Sequence, residues 1–416
     1  MPTSNLVTPE LDVGFVRSFF PNLKDGWAFF ENAGGSYVPK TVIERVTTYM
    51  SEMQVQPGGA FESGRRAGEK RDEAERLVAE MINADEGEVV IGPSTTTNVY
   101  VMSHAVAPFL TAGDEIIVTN LDHEANSGAW RRLERTGVTV KEWRVNPDSV
   151  ELEIGELDTL LNERTRLVCF PHCSNVAGGI NDVAAITAKV HQAGALVFVD
   201  GVAYAPHRAV DVKALDIDFY ALSLYKLYGP HLALVYGKRD LLLRCEPQNH
   251  FFIGEDRPAL RVNAGYPPHE STAALPGIVD YLEAVHGHHF EQPENSLNER
   301  LKCVFSLFAA HEEKLSARFL DFLSTKSNVR LIGRDSPQAA QRAPTFSFVV
   351  KGMKSANLPP LAANSQVAIK NGNFYAYRLM ETLGLELTDG VVRASMVHYT
   401  AMEDVDRLIA ALDEIL

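Results

Sequence analysis

A chain of 416 residues is longer than a single hydrophobic core usually serves, so we expect one large domain and at least one smaller one. Its 39 Lys and Arg residues against 54 Asp and Glu residues give a net charge of −15. This negative charge argues against partners such as nucleic acid or an anionic membrane, and an anionic substrate would need a local positive pocket.

The N-terminus, MPTSNLVTPELDV, lacks a basic flank followed by an apolar stretch, and no run in the chain approaches the ~20 apolar residues of a membrane span. The four cysteines include a CxxxC pair, Cys169 and Cys173, but neither lies in a histidine-cysteine cluster. Buried free thiols are favoured over a disulfide or a metal role. We therefore expect a cytoplasmic protein without a metal site.

Short β-branched apolar runs alternate with longer amphipathic stretches from about residue 70 to 240. The runs, in chain order, are EVVIG, EIIVTN, VTVKEWRV, RLVCFP, ALVFVD, DFYALS and LALVYG. One intervening stretch, NDVAAITAKVHQAG, has helical apolar spacing and ends on a glycine suited to a helix C-terminus. This order predicts an α/β fold, with a mostly parallel sheet between helices.

A second pattern begins near LPGIVDYLEAV, where a long helical region runs on through NERLKCVFSLFAAHEEKLSARFLDFL. NVRLIG, APTFSFVV and QVAIKNG then indicate strands, and FYAYRLMETLG and EDVDRLIAALDEIL indicate helices. We predict a smaller C-terminal α+β domain over residues 286–416, a large domain over 31–285, and an N-terminal segment, 1–30, that packs on the small domain.

Two ionisable residues follow neighbouring predicted strands. Asp200 closes ALVFVD, and Lys226 comes one short turn after DFYALS. Ligands of open α/β sheets bind outside the carboxyl ends of the strands. The pair could be a structural ion pair, or it could belong to a pyridoxal phosphate (PLP) site, which needs a lysine, an acid for the ring nitrogen and a cradle for the phosphate.

The cradle candidate is IGPSTTTNVYVMSHAV, where a strand passes through a Ser/Thr cluster into a helix. Ser94 and Thr95 offer hydroxyls there, and a helix start offers unpaired N–H groups to a dianion. An ordinary helix N-cap is the competing interpretation. His123, in NLDHEAN, follows another strand and could stack on a pyridine ring, or it could be a solvated loop residue.

Taken together, the motifs STTT, DHEAN, SNVAGGIN, VDGVAYAPH, SLYKLYGPH and RASMVHYTAMEDVDRL resemble the class V aminotransferases, and within them the cysteine desulfurase-like group of fold-type I PLP enzymes. The similarity spans nearly the whole chain. It implies a fold-type I architecture, PLP as cofactor, a small amino-acid substrate and a homodimer with shared active sites.

The resemblance also implies a role for each matching position. Lys226 would form the Schiff base with PLP, Asp200 would pair with the ring nitrogen, and His123 would stack on the ring. Asn175 would approach the phenolic oxygen, while Arg393 would bind the substrate's α-carboxylate. The remaining matches concern the phosphate: Ser94, Thr95 and Ser223 within the subunit, and Thr272 from the neighbouring subunit. Tyr225 departs from the family, which has a histidine before the lysine, but its hydroxyl can still donate to the phosphate.

Two further positions border the active site in this family. Asn32 lies in the glycine-rich stretch ENAGGSYVP, for which substrate contact and turn geometry are both open. Tyr375, in KNGNFYAYRL, occupies the position that we match to the nucleophilic cysteine of desulfurases, and no cysteine follows Cys303. Because a phenol does not replace a thiolate, a persulfide mechanism is not expected. Ala203 also stands where desulfurases have a glutamine.

These features predict a PLP-dependent enzyme that acts at Cα of a small amino acid. The leading expectation is a desulfurase-like lyase that cleaves a C–S bond or eliminates at Cβ without a persulfide cysteine. Racemisation or epimerisation and transamination are the alternatives, because all three reactions share the same early chemistry. A catalytically silent PLP-binding protein is disfavoured by the retention of Lys226, Asp200 and Arg393.

Overall fold

The computed structural model describes residues 9–253, 257–291 and 296–416, so part of the predicted N-terminal segment lies outside the described residues. The strands are β1 Ala28–Phe29, β2 Val89–Gly92, β3 Glu115–Thr119, β4 Thr139–Trp143, β5 Thr165–Pro171, β6 Leu196–Asp200, β7 Phe219–Ser223, β8 Ala233–Gly237, β9 Val329–Ile332, β10 Thr345–Val350, β11 Val367–Ala368, β12 Lys370–Gly372 and β13 Val391–Ser395.

The helices are α1 Val13–Arg17, α2 Lys40–Glu52, α3 Glu62–Met81, α4 Thr95–Ala105, α5 Gly128–Arg131, α6 Leu157–Leu160, α7 Val183–Gln192, α8 Arg239–Arg244, α9 Pro258–Arg261, α10 His269–Ala274, α11 Pro276–His289, α12 Leu297–Ser324, α13 Leu358–Ala363, α14 Tyr377–Thr382 and α15 Met402–Asp413. Among the helices described, none is both long and apolar enough to cross a membrane.

The large domain is built on a seven-stranded sheet in the order β2-β8-β7-β6-β5-β3-β4. Strands β7, β6, β5, β3 and β4 run parallel to one another, and β8 is antiparallel to both β7 and β2. All seven apolar runs of the sequence form these strands. Except in the edge strand β4, their side chains are mostly buried on both faces, as expected for a sheet covered by helices. The predicted α/β architecture is confirmed.

Strand register brings the functional loops together. Pro171 at the end of β5 pairs with Asp200 at the end of β6, and Asp200 pairs with Ala221 near the end of β7. The segments that follow these three parallel strands therefore leave the sheet at the same edge. Strand β2 runs in the same direction as β7, because β8 lies between them and is antiparallel to both. Helix α4, which follows β2, therefore starts close to the same edge.

The smaller C-terminal unit has a four-stranded antiparallel sheet, β12-β13-β10-β9, with its own apolar core. Two local predictions were wrong. QVAIKNG is not one strand, because β11 pairs with β1 in a separate two-stranded sheet whereas β12 pairs with β13. FYAYRLMETLG becomes helical only at Tyr377, because Phe374 and Tyr375 have left-handed φ angles of +49° and +60°. Strand β13, which carries Arg393, was not predicted.

The N-terminal segment contacts both parts of the chain. Arg17 forms an ion pair with Asp404 of α15 at 2.7 Å, and β1 pairs with β11 of the small domain. On the other side, Asp12 bonds to His288 and His289 at the end of α11. These two histidines, at the C-terminal end of α11, anchor the segment. The domain boundaries stay a prediction.

Candidate active site

Lys226 lies in the turn after β7, where its backbone N–H donates to the carbonyl of Ser223 at 3.2 Å. The residue is only 7% exposed. The pKa of the Lys226 amine is lowered to about 8, because the effects of burial and of the Arg393 charge outweigh those of Asp200 and Glu31. Such an amine gives up its proton more readily than an ordinary lysine and is a better nucleophile near neutral pH.

Asp200 ends β6 and is buried beside the lysine. One carboxylate oxygen, Oδ1, accepts a hydrogen bond from the Val202 N–H at 2.9 Å. Burial raises the pKa of Asp200 to about 6, against the lowering effects of that N–H group and of Lys226. Within the described ranges Asp200 and Lys226 form no direct ion pair, so the structural-pair interpretation lacks support. A buried carboxylate of this kind calls for a cationic partner.

The hydroxyl cluster expected to bind phosphate is assembled from two elements. Ser94 is the N-cap of α4, and its Oγ accepts from the Thr97 N–H at 3.1 Å. Thr95, in the first turn, has its Oγ1 2.7 Å from Oγ of Ser223 at the end of β7. Ser94 can therefore act both as an N-cap and as part of a phosphate site. The start of α4 and the hydroxyls of Ser94, Thr95 and Ser223 line the same pocket.

These residues surround one pocket. Eight of the predicted cofactor-binding residues line it: Ser94, Thr95, His123, Asn175, Asp200, Ser223, Tyr225 and Lys226. A buried amine, a buried acid and a hydroxyl-lined helix start together match the aldehyde, ring nitrogen and phosphate of PLP. The residues present therefore fit the cofactor.

His123 belongs to the wall of this pocket and is partly buried. Its Nδ1 accepts from the Ala125 N–H at 3.1 Å, so a neutral ring carries its proton on Nε2. Burial, together with the positive charges of Lys226 and Arg393, lowers the pKa of His123 to about 3. The imidazole is neutral at working pH, which suits stacking on a cationic ring.

Arg393 lies on β13 of the small domain and is buried next to the pocket. Its Nη1 donates to the carbonyl of Asn175 at 3.0 Å, and its Nη2 pairs with Oε1 of Glu31 at 2.8 Å. The guanidinium carbon lies 3.7 Å from the centre of the Phe374 ring, a cation–π contact. Burial lowers the pKa of Arg393 against the opposing effect of Glu31.

Tyr375 and Asn32 do not line the pocket around Lys226. Tyr375 is 71% exposed, and its ring lies 5.0 Å from that of His123, at the pocket's outer side. The amide of Asn32 is engaged by the fold: its Nδ2 donates to the Ser395 carbonyl at 2.9 Å, and its Oδ1 accepts from the Tyr399 hydroxyl. These bonds fit the turn-geometry interpretation of ENAGG, and a substrate role for either residue stays a prediction.

Thr272 lies in α10, away from Lys226. Its Oγ1 donates to the Pro268 carbonyl at 3.0 Å, and the residue lines a separate cavity with arginines of α3, α8 and the segment before α9. Nothing in the described part of the single chain brings Thr272 to the hydroxyl cluster. Its assignment to the phosphate site of a second subunit stays a prediction.

The sequence interpretation missed Glu31 and Phe374. Glu31 directly precedes Asn32 in the glycine-rich stretch, so a carboxylate beside a family motif was the available signal. Phe374 gave no such signal, because its contact with Arg393 depends on the left-handed backbone at residues 374 and 375. Cys173 also lines the pocket.

Fold and site together define a PLP-dependent enzyme. The family model described as "Aminotransferase class-V" matches residues 28–305 and 296–408, and the chain belongs to this family. It is 38% identical over 410 residues to the aminotransferase-like protein FGM3 of Gibberella zeae, covering 96% of this chain and 98% of that protein.

Two desulfurase-named proteins are also similar. The cysteine desulfurase-like protein ustD of Aspergillus flavus is 34% identical over 417 residues, covering 98% of this chain and 91% of its own. The crystal structure of the cysteine desulfurase CsdA from Escherichia coli superposes with a TM-score of 0.81 at 27% identity, covering 97% of this chain and 98% of that chain. The predicted family, fold type and cofactor are confirmed.

Proposed function

We propose that the protein acts at Cα of a small amino acid and eliminates a group from Cβ, cleaving a C–S bond without a persulfide cysteine. The observation that carries this proposal is that a buried amine, Lys226, lies close enough to a buried guanidinium, Arg393, for the guanidinium to lower the pKa of the amine. The amine can accept and return a proton, and the guanidinium can bind a carboxylate. Both groups belong to one site, although they come from different domains.

PLP, when bound, supplies an electron-poor ring that accepts the electrons of a broken bond at the substrate Cα. The chain's own residues prepare this chemistry. Asp200 supplies a buried negative charge that stabilises a protonated ring nitrogen, and the Ser94, Thr95 and Ser223 hydroxyls can donate to the phosphate. His123, neutral and held through Nδ1 by the Ala125 N–H, covers one side of the pocket.

Lys226 is the proposed general base. With a pKa of about 8, a substantial fraction of its amine is neutral at slightly alkaline pH, so it can take the Cα proton and return a proton later. Loss of a thiol group from Cβ then yields sulfide, and hydrolysis of the remaining fragment yields ammonia and pyruvate when the substrate is cysteine. This outcome requires no thiol nucleophile on the protein.

The absence of cysteine from the sequence after Cys303 supports elimination over persulfide transfer. In place of a nucleophile the chain has Tyr375 on a segment fixed by two backbone contacts. The Asn175 amide donates to the Phe374 carbonyl at 2.9 Å, and the Glu124 N–H donates to the Tyr375 carbonyl at 2.8 Å. A segment held in this way is suited to closing the rim of a pocket rather than to carrying sulfur out of it.

A panel assay tests the proposed reaction. The purified PLP-loaded protein is incubated with amino acids including cysteine, and pyruvate, ammonia, sulfide and enantiomer release are followed together. Stoichiometric pyruvate, ammonia and sulfide from cysteine would support the proposal. Enantiomer formation alone would indicate a racemase or epimerase, amino-group transfer to an oxo acid would indicate an aminotransferase, and no turnover with any substrate would indicate a silent PLP-binding protein.

We further propose a cytoplasmic homodimer in which Thr272 completes the phosphate site of the other subunit. The family resemblance supports this arrangement, as does the position of Thr272 away from the Lys226 pocket of its own chain. A monomeric mass by light scattering with full activity would overturn it. The net charge of −15 favours neither nucleic acid nor an anionic membrane as a partner.

A further inference from the structure

The carboxylate of Glu31 pairs with the guanidinium of Arg393, the group that is proposed to bind the substrate. Its Oε1 lies 2.8 Å from Nη2 of Arg393, and the Arg393 side chain is almost fully buried. The backbone of Glu31 is held as well, since it forms a β-bridge with Ser395, two residues beyond Arg393 on β13. The ion pair therefore joins two rigid elements and is not a chance contact of flexible side chains.

The neighbouring glycine is required by this arrangement. A Cβ atom built on Gly34 would overlap the carboxylate group of Glu31. The φ angle of Gly34 is not among the positive ones, so an alanine could adopt this backbone. Position 34 has no room for a side chain, because the carboxylate of Glu31 folds back into that space.

Arg393 still has donors to offer. Its Nη1 contacts the Asn175 carbonyl and its Nη2 contacts Glu31, but its Nε is buried and has no hydrogen-bond partner among the described residues. A buried donor of this kind costs free energy until it is satisfied. A substrate carboxylate could satisfy it, but two carboxylates would then share one positive charge.

We propose that Glu31 is a specificity-determining residue that holds Arg393 in position and competes electrostatically with the substrate's α-carboxylate. This inference rests on the proposed role of Arg393 in binding that carboxylate. In the free site Glu31 balances a buried charge that would otherwise be costly. In the occupied site, Glu31 repels the substrate's carboxylate. The enzyme therefore binds its amino acid less tightly than the Arg393 guanidinium alone would allow.

Glu31→Gln separates the two roles, because the amide oxygen can still accept from Arg393 while the negative charge is lost. Two carboxylates that share one guanidinium in a partly buried site repel enough to change affinity on the order of 10-fold or more. We expect Glu31→Gln to bind propionate about tenfold more tightly than wild type and to lower KM for an amino acid. Propylamine, a cation without a carboxylate, should not bind more tightly to Glu31→Gln than to wild type.

The experiment measures propionate and propylamine binding to the PLP-loaded proteins by calorimetry, together with KM and kcat. Glu142→Gln is the matched control, since the Glu142 side chain is 21% exposed against 22% for Glu31 and also pairs with an arginine, Arg131, outside the site. Gly34→Ala is a second variant that keeps the glutamate but pushes its carboxylate off Arg393. Because it keeps the negative charge nearby and removes the contact that positions Arg393, it should tighten propionate binding less than Glu31→Gln does.

Weaker or unchanged propionate binding in Glu31→Gln, equal changes for propionate and propylamine, or no detectable propionate binding by either protein would overturn the inference. Propionate does not react, so its binding is independent of the lyase chemistry. Tighter binding in Glu31→Gln without any product in the amino-acid panel would refute the proposed reaction while the role of Glu31 stands.

Discussion

Replacement of Asp200 by asparagine should make the cofactor-free protein more stable and the loaded enzyme less active. Asparagine is nearly isosteric with aspartate, and its side-chain oxygen can still accept from the Val202 N–H, so the change removes little except the ionisable group. The folded-state pKa of Asp200 is about 6, compared with 3.8 for an ordinary aspartate. A difference of about two pH units corresponds to about 3 kcal/mol.

The sign of the effect follows from which state binds the proton more tightly. Because the folded pKa is raised, the folded state keeps its proton between pH 4 and 6 while the unfolded state loses it. Wild type therefore loses stability as the pH rises through this window, and above pH 6 the loss is complete. The asparagine of Asp200→Asn cannot ionise, so the variant escapes this loss. It should gain up to about 3 kcal/mol over wild type at pH 7 and nothing near pH 4.

Urea unfolding of both cofactor-free proteins, followed by the fluorescence of the three tryptophans, measures this difference from pH 4 to 7.5. The loaded variant should lose most of its turnover, because no buried charge then stabilises a protonated ring nitrogen. Equal stability of the two proteins at pH 7, or a difference that is the same at every pH, would refute the assignment of a costly buried carboxylate to position 200.

Arg393→Ala should reduce kcat/KM for an amino acid about 30- to 1,000-fold, on the order of 2 to 4 kcal/mol. The change removes the guanidinium that binds the substrate's carboxylate, and it leaves Glu31 unpaired in the site. An amine without a carboxylate should be nearly unaffected, and equal losses for both substrates would mean that Arg393 supports structure only. Tyr375→Cys should not create an efficient desulfurase, because backbone contacts hold the Phe374–Tyr375 segment in place. Mass spectrometry after incubation with cysteine checks this, and stoichiometric persulfide on the new cysteine would contradict it.

The sheet of the large domain could be predicted from sequence because its strands are short, apolar on both faces and separated by helices of clear period. EIIVTN and ALVFVD end where the structure ends β3 and β6, to within a residue. Asp200 and Lys226 could be placed at one edge for the same reason, since parallel strands put their carboxyl ends together.

The small domain was harder to predict because its elements are defined by partners that are distant in the chain. QVAIKNG divides between two sheets, and in one of them β11 pairs with β1 from the other end of the chain. The left-handed backbone at Phe374 and Tyr375 is set by contacts with Asn175 and Glu124 of the large domain. No local pattern encodes such contacts, so the Arg393 environment, including Glu31 and Phe374, emerged only from the three-dimensional structure.

The central claim is that Lys226 carries PLP covalently in the resting enzyme. Reduction of the purified, loaded protein with borohydride, followed by digestion and mass spectrometry, tests it directly. We expect a single phosphopyridoxyl label, on Lys226, and none after the same treatment of Lys226→Ala. A label on any other lysine of the wild-type protein would contradict the assignment of this pocket as the active site.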